Sequence, residues 1–444
     1  MTAAAAGLAA TALLVAAFTA AGELVLGRAS RGLVSANAAF LTGMAVAAAA
    51  LFPLSLLARG AALSVELGLL AACLAAAAVR RLRGRRPAPP RRRAELDPWT
   101  AAALAGILVA VGCFLALDLR HDLHWDGLVI WASKAQVLFH EGSLGRAWYP
   151  DDAYELRHLR YPPLVPLFEA LLLCVRGRFD FDLVKPVFVP FYVSLLVSIF
   201  GGLRAVASTR LAMTGALLLA FLPLLSTRHS AGGYADMPQA AFVAGVVGAA
   251  LRRDDDALAW LVGGLTTVKA EGTILAVIAC AAALLCRRLE RRATPAPSRR
   301  PWKAAAVIAG FLAVRLTYLR WLAVPDLEYS APDAVHLTEA LHRIRHVARL
   351  CFEAALPPRR WGLLWPAFAA AALVLLRRGS ALERCLAGAT AAAGAILIAP
   401  FLFTTWPLEL HVAQAYPRLL EQLAPAAVAV AVLGWIRAQS PAMG

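Results

Sequence analysis

Residues 61–93 read AALSVELGLLAACLAAAAVRRLRGRRPAPPRRR. An apolar run with one acid, Glu66, ends in a stretch that carries eight arginines between Arg80 and Arg93. Roughly 20 apolar residues are what a helix needs to cross the hydrocarbon core of a bilayer. Arginines crowded into the short connection after such a run mark its cytoplasmic flank. Residues 287–303 repeat the signal, with Arg287, Arg288, Arg291, Arg292, Arg299, Arg300 and Lys303 against one acid, Glu290. Further apolar runs lie near 4–27, 34–57, 61–79, 100–117, 186–204, 210–227, 236–250, 257–268, 272–286, 303–323, 361–376, 384–404 and 423–437. The fold expected is therefore an all-α polytopic membrane protein of about 12–14 transmembrane helices.

Composition agrees. Of 444 residues 60% are hydrophobic, and the mean hydropathy is +0.66. A net charge of +16 would suit nucleic acid, but the arginines sit in loops between apolar runs, so they report topology and no nucleic-acid partner is expected. The seven cysteines form no CxxC pair and lie mostly in apolar runs, so they read as small buried hydrophobes. The first run, 3–27, lacks a basic leader and is too long for a signal-peptide core, and it reads as a retained helix. Three segments follow: 1–99, an N-terminal three-helix membrane segment with its basic loop; 100–290, a membrane core; and 291–444, the C-terminal helices.

The two basic loops orient the rest. Loop 118–162 falls on the opposite, outer side, with seven acids, five bases and four histidines. Arg204 and Arg210 flank an inner connection, so 186–204 runs inward and stretch 163–175 does not cross. It is expected as an interfacial or re-entrant helix opening after Tyr161-Pro162-Pro163. Loops 324–360 and 405–422 are outer, the C-terminus inner and the N-terminus outer.

Four outer features carry chemistry, because ionisable residues at membrane depth are costly to keep. His121-Asp122-Leu123-His124-Trp125-Asp126-Gly127 precedes an amphipathic helix, where Leu128, Trp131, Ala135 and Leu138 share a face and tryptophans anchor it in the interface. Asp126 is a candidate base or the cap of that helix. The His/Asp cluster offers ligands for a divalent metal ion but matches no specific metal motif. Arg157-His158-Leu159-Arg160-Tyr161 offers guanidinium groups for phosphate, or for ordinary lipid head groups. Asp236, in Gly233-Tyr234-Ala235-Asp236, is a second carboxylate or a helix cap. Lys269-Ala270-Glu271-Gly272 places a cation and an anion inside an apolar hairpin, two residues apart and off a common helix face.

Together, Trp125-Asp126-Gly127, Trp131, Lys134, Tyr161-Pro162-Pro163-Leu164, Gly233-Tyr234-Ala235-Asp236 and Lys269-Ala270-Glu271-Gly272 resemble the GT-C superfamily of membrane glycosyltransferases. The likeness is to the protein O-mannosyltransferase and lipid A aminoarabinose transferase type. It runs from about residue 118 to 290, with a weaker echo at Arg418-Leu419-Leu420 before Pro425.

The resemblance implies transfer of a hexose or pentose from a polyprenyl-phosphate-linked sugar to a glycan, lipid or protein acceptor, with inversion. It places the active site on the extracytoplasmic face of the cell inner (plasma) membrane. It implies Asp126 and Asp236 as catalytic carboxylates, with Lys269, Arg157, Arg160 and Arg418 on the donor phosphate. His124, Trp131, Lys134, Tyr161, Tyr234 and Glu271 are implied to touch substrate. The chain departs from the pattern in having Gly127 where an acid often follows the first Asp, and Val268-Lys269-Ala270 where Thr-Lys-Asn is usual.

The rival readings are a flippase or transporter for lipid-linked sugars, which predicts an internal repeat or paired broken helices, and a non-catalytic scaffold. A scaffold predicts no convergence of Asp126, Asp236 and Lys269.

Overall fold

The structure, a computed structural model, describes residues 3–83, 97–145, 158–225, 230–293, 301–324, 329–330 and 334–439. In chain order the helices are α1 (Ala3–Val25), α2 (Leu33–Ala58), α3 (Ala62–Arg83), α4 (Pro98–Arg120), α5 (Ser133–Glu141), α6 (Leu164–Arg176), α7 (Phe181–Val184), α8 (Phe188–Arg204) and α9 (Thr209–Ala220). Then come α10 (Asp236–Leu251), α11 (Asp255–Leu265), α12 (Glu271–Ala293), α13 (Pro301–Leu322), α14 (Ala334–Ala355), α15 (Pro358–Trp361), α16 (Leu364–Arg378), α17 (Ala381–Ile396) and α18 (Leu408–Gln439). Among the described residues there is no β-sheet, only an isolated bridge between Tyr329 and Thr404.

Among the described residues, eight stretches are long and apolar enough to cross a membrane, and the longest of these, Leu33–Arg83, covers both α2 and α3. The chain is an all-α, multi-pass membrane protein. Four expected spans are short helices: α9 has 12 residues, α10 has 16, α11 has 11 and α16 has 15. Polar turns therefore sit deeper than the ends of the long helices, at 1.5 Å of rise per residue.

The helices run between two chemically different ends. At one end Arg28 pairs with Asp254, Arg81 with Glu23, Arg253 with Glu290 and Arg287 with Asp255. At the other, α10 begins at Asp236 and α12 at Glu271. Helix α18 is the hub, with most of its apolar length enclosed, whereas α4, α12 and α13 turn most of theirs outward. Gly22 and Gly43 let α1 and α2 pack closely, as helices in lipid do: a Cβ on Gly22 would stand 1.8 Å from Ala39 O, and one on Gly43 1.9 Å from Phe18 O.

Several sequence expectations need correction. Stretch 163–175 forms α6, which opens directly after Pro162-Pro163. It is not an interfacial helix: Leu164 to Leu173 are all buried, and it packs on α1, α2 and α5. Its first residue bonds to Thr267, and the chain returns at Lys185 beside Asp122, so both ends of the α6–α7 segment stay near the first long loop. The helix after Asp126 begins as a π-helical turn, Asp126–Ala132, that runs into α5. Its Trp131 is fully buried and is no interface anchor, whereas Trp125 is exposed. Residues 408–422 are the first turns of α18 and not a loop, and region 324–360 contains α14.

Candidate active site

Asp236 is the centre of the site. It stands in the first turn of α10, yet its side chain caps nothing. Its Oδ1 accepts from Lys269 Nζ at 2.9 Å and from Gln422 Nε2 at 2.8 Å, and its Oδ2 accepts from Arg418 Nε at 2.9 Å. A carboxylate with no exposed surface is tolerable only with such charged and hydrogen-bonding partners. Arg418 then reaches on. Its Nη2 donates to Asp126 Oδ2 at 2.5 Å, and its guanidinium lies over the Tyr234 ring, 4.4 Å from the centroid. His124 meets the same ring edge-on. Asp126 caps no helix either.

Backbone packing makes this meeting possible. A Cβ on Gly127 would stand 2.2 Å from the Gly232 carbonyl oxygen, so only glycine lets the Asp126 segment lie against the Gly232-Gly233 turn. That contact, with His124 N donating to Gly232 O, brings Asp126 beside the start of α10. In the α11–α12 hairpin, a Cβ on Gly272 would stand 1.8 Å from Leu265 O, and this tight closure holds Lys269 inward. Lys269 also pairs with Glu271 at 3.2 Å. Burial pulls the Lys269 pKa down, but Asp236 and then Glu271 outweigh it and hold the ammonium above the ordinary lysine value.

A second cluster adjoins the first. Trp131 stacks on Tyr161, which stacks on His158, and the Lys134 ammonium lies over the Trp131 and Tyr161 rings. Lys134 Nζ donates to His158 O at 2.6 Å, and Tyr318 of α13 donates to Leu159 O at 2.9 Å. The turn 158–161 is thereby clasped from two sides. Arg315, one helical turn before Tyr318 and over its ring, comes within electrostatic reach of Lys134, Arg160 and Glu271. Arg315 is 7% exposed, and among the described residues its Nε and Nη1 have no hydrogen-bond partner; neither has Trp131 Nε1. Burial, and then Arg315, hold the Lys134 amine well below the ordinary lysine range.

Of the residues singled out in the sequence, Asp126, Asp236, Lys269, Arg418, Tyr234, His124 and Glu271 belong to the first cluster. Trp131, Lys134, Arg160 and Tyr161 belong to the second. Arg157 lies outside the described residues. No known protein family, curated protein or solved structure matches the chain.

No group of three or more His, Cys, Asp or Glu among the described residues is arranged to hold a metal ion. Asp126 turns to Arg418, and His124 turns to Tyr234. Sequence reading missed Gln422 and Arg315. Gln422 is one turn after Arg418 on α18, and Arg315 is an ionisable residue inside an apolar run, the signal that drew attention to Lys269.

Proposed function

We propose that the protein is a glycosyltransferase, moving a hexosyl or pentosyl group from a polyprenyl-phosphate-linked donor to a glycan, lipid or protein acceptor. The observation that carries this reading is the adjacency of two unlike centres. One is a carboxylate open to the outside at Asp126. The other is furnished with the guanidinium groups of Arg160 and Arg315, the Lys134 amine and the Trp131 N–H. Glu271 joins them, pairing with Lys269 on one side and sensing Arg315 on the other.

The roles divide by what each group has left to give. Lys269 and Arg418 are already engaged by carboxylates, so they shape the charge of the site. Arg315 and Lys134 keep donors to offer, and they suit the donor phosphate. Asp126, 18% exposed against 1% for Asp236, is the carboxylate an acceptor can reach. In the step proposed, the acceptor oxygen bonds to the anomeric carbon and its proton passes to Asp126. The bond from that carbon to the phosphate oxygen breaks, and the phosphate leaves with the electron pair, stabilised by cations already in place. Attack opposite the leaving group inverts the anomeric centre.

The Arg-rich end of the bundle suits the cytoplasm. The site, at the other ends of α10 and α12, then faces the extracytoplasmic side of the cell's plasma (inner) membrane.

The test uses purified protein in liposomes with a panel of labelled polyprenyl-phosphate sugars. Wild type should release free polyprenyl phosphate from one of them, and Asp126→Asn should slow this by roughly 100-fold or more while remaining folded. A second reading, transport of the lipid-linked sugar, rests on the buried Lys269–Asp236 pair. It prevails if labelled lipid crosses the bilayer equally well in wild type and Asp126→Asn with no phosphate released.

A further inference from the structure

Helix α14 lies on the same side of the bundle as the site, since His346 pairs with Glu409 in the first turn of α18, two to three turns before Arg418. It is 22 residues long, but Glu339, Arg343, Arg345, Arg349 and Glu353 make it too polar to cross a membrane, and it is not one of the eight candidate spans. At 100° per residue its side chains divide into three sectors. Ala340, Val347 and Cys351 form the first and are buried, in a helix that packs on α18. Leu337, Leu341, Ile344 and Phe352 form the next and are 47%, 70%, 47% and 64% exposed. The remaining sector is polar. Arg343 pairs there with Glu339 and Arg349 with Glu353, and Arg345 borders the apolar stripe with no ion pair among the described residues.

Such a stripe on a helix of a water-facing domain would be a liability. This helix instead follows α13, a membrane span that turns most of its apolar surface outward, and precedes α16, whose Leu373 and Leu376 are exposed. The stripe therefore follows, in the chain, the outward apolar surface of a candidate span and precedes further exposed leucines. Guanidinium groups at the border of an apolar stripe complement phosphate head groups while their stems cover hydrocarbon.

We infer that α14 lies in the plane of the leaflet on the site's side, its Leu337–Leu341–Ile344–Phe352 stripe among the acyl chains and Arg345 on anionic lipid phosphates. The helix then acts as a float that sets the depth of α18, and with it Arg418, through the buried Val347 and Cys351 contacts. This inference does not depend on the activity proposed above.

The full chain is reconstituted in nanodiscs of phosphatidylcholine, with or without phosphatidylglycerol, containing a lipid with an acyl-chain diazirine. After irradiation, peptide mapping should find crosslinks at Leu341, Ile344 and Phe352 and none at His342. Phosphatidylglycerol should be enriched over phosphatidylcholine around the protein, by about fivefold per contacting arginine, and Arg345→Gln should reduce that enrichment. Crosslinks on α13 with none on α14 would overturn the inference. So would crosslinks from the stripe to a second copy of the chain. Equal recovery of both lipids in wild type and Arg345→Gln would overturn the assignment of Arg345.

Discussion

Arg418 donates to Asp126 across 292 positions of sequence, at 2.5 Å, while its Nε holds Asp236. One guanidinium thus fastens the first long loop to the head of α10, and two carboxylates that would repel one another share a site. Lysine cannot copy this, because an ammonium is a point charge on a flexible stem and lacks the planar fork. Arg418→Lys is expected to keep the contact with Asp236 and lose that with Asp126. Donor-lipid cleavage should fall by about 100-fold or more, at a stability cost of about 1–3 kcal/mol. Thermal melting in detergent beside the transfer assay separates the two effects, and unchanged activity would refute the shared role.

Asp236 is buried between Lys269 and Arg418, so its loss leaves Lys269 with Glu271 alone and Arg418 with Asp126 alone, two buried cations each short of a carboxylate. Asp236→Asn should cost about 3–5 kcal/mol. Removing the cation as well, in Asp236→Asn with Lys269→Met, should recover a good part of that stability without recovering activity. A double variant no more stable than the single one would mean the pair is not energetically coupled.

At Gly127 the smallest possible side chain should be enough to break the site. A Cβ there stands 2.2 Å from Gly232 O, which is backbone and cannot swing aside. Gly127→Ala should push Asp126 away from Arg418 and reduce turnover about as much as Asp126→Asn. A cysteine pair bridging positions 124 and 232 would report the displacement as slower crosslinking.

The Lys134 amine is held low by burial and by Arg315, and a bound phosphoryl anion favours its ammonium form. Binding should therefore take up a proton. Affinity for a polyprenyl phosphate should weaken as pH rises from the free to the bound pKa of Lys134, by up to about tenfold per pH unit for one proton. Titration calorimetry in two buffers of different ionisation heat measures the uptake, and Lys134→Met should abolish it. Proton release, or uptake that survives Lys134→Met, would count against the assignment.

Much of this protein is legible without coordinates. The apolar runs, their lengths and the arginine clusters are local properties, and the cost of a charge in hydrocarbon makes them decisive for an all-α membrane fold. The same cost picked out Asp236 and Lys269 as residues that need a partner, and the two prolines before Leu164 marked where α6 begins. Sequence alone left Asp126 and Asp236 open between helix cap and site carboxylate. It also took residues 405–422, around Arg418, for an outer loop, although Pro417 and Pro425 lie within α18. In a bundle with α18 enclosed by neighbours, both prolines are accommodated inside a helix.

Which side chains partner which depends on the folded chain. Asp126, Asp236, Lys269 and Arg418 come from four separate segments, and no periodicity links residues 126 and 418. Their meeting depends on a glycine backbone pressed against a carbonyl and on a hub helix packed between α10 and α16. The fold also pairs Lys269 and Arg418 with carboxylates while Arg315 has no ion pair among the described residues, because charge pairing in a low-dielectric interior is settled by distance and not by order along the chain.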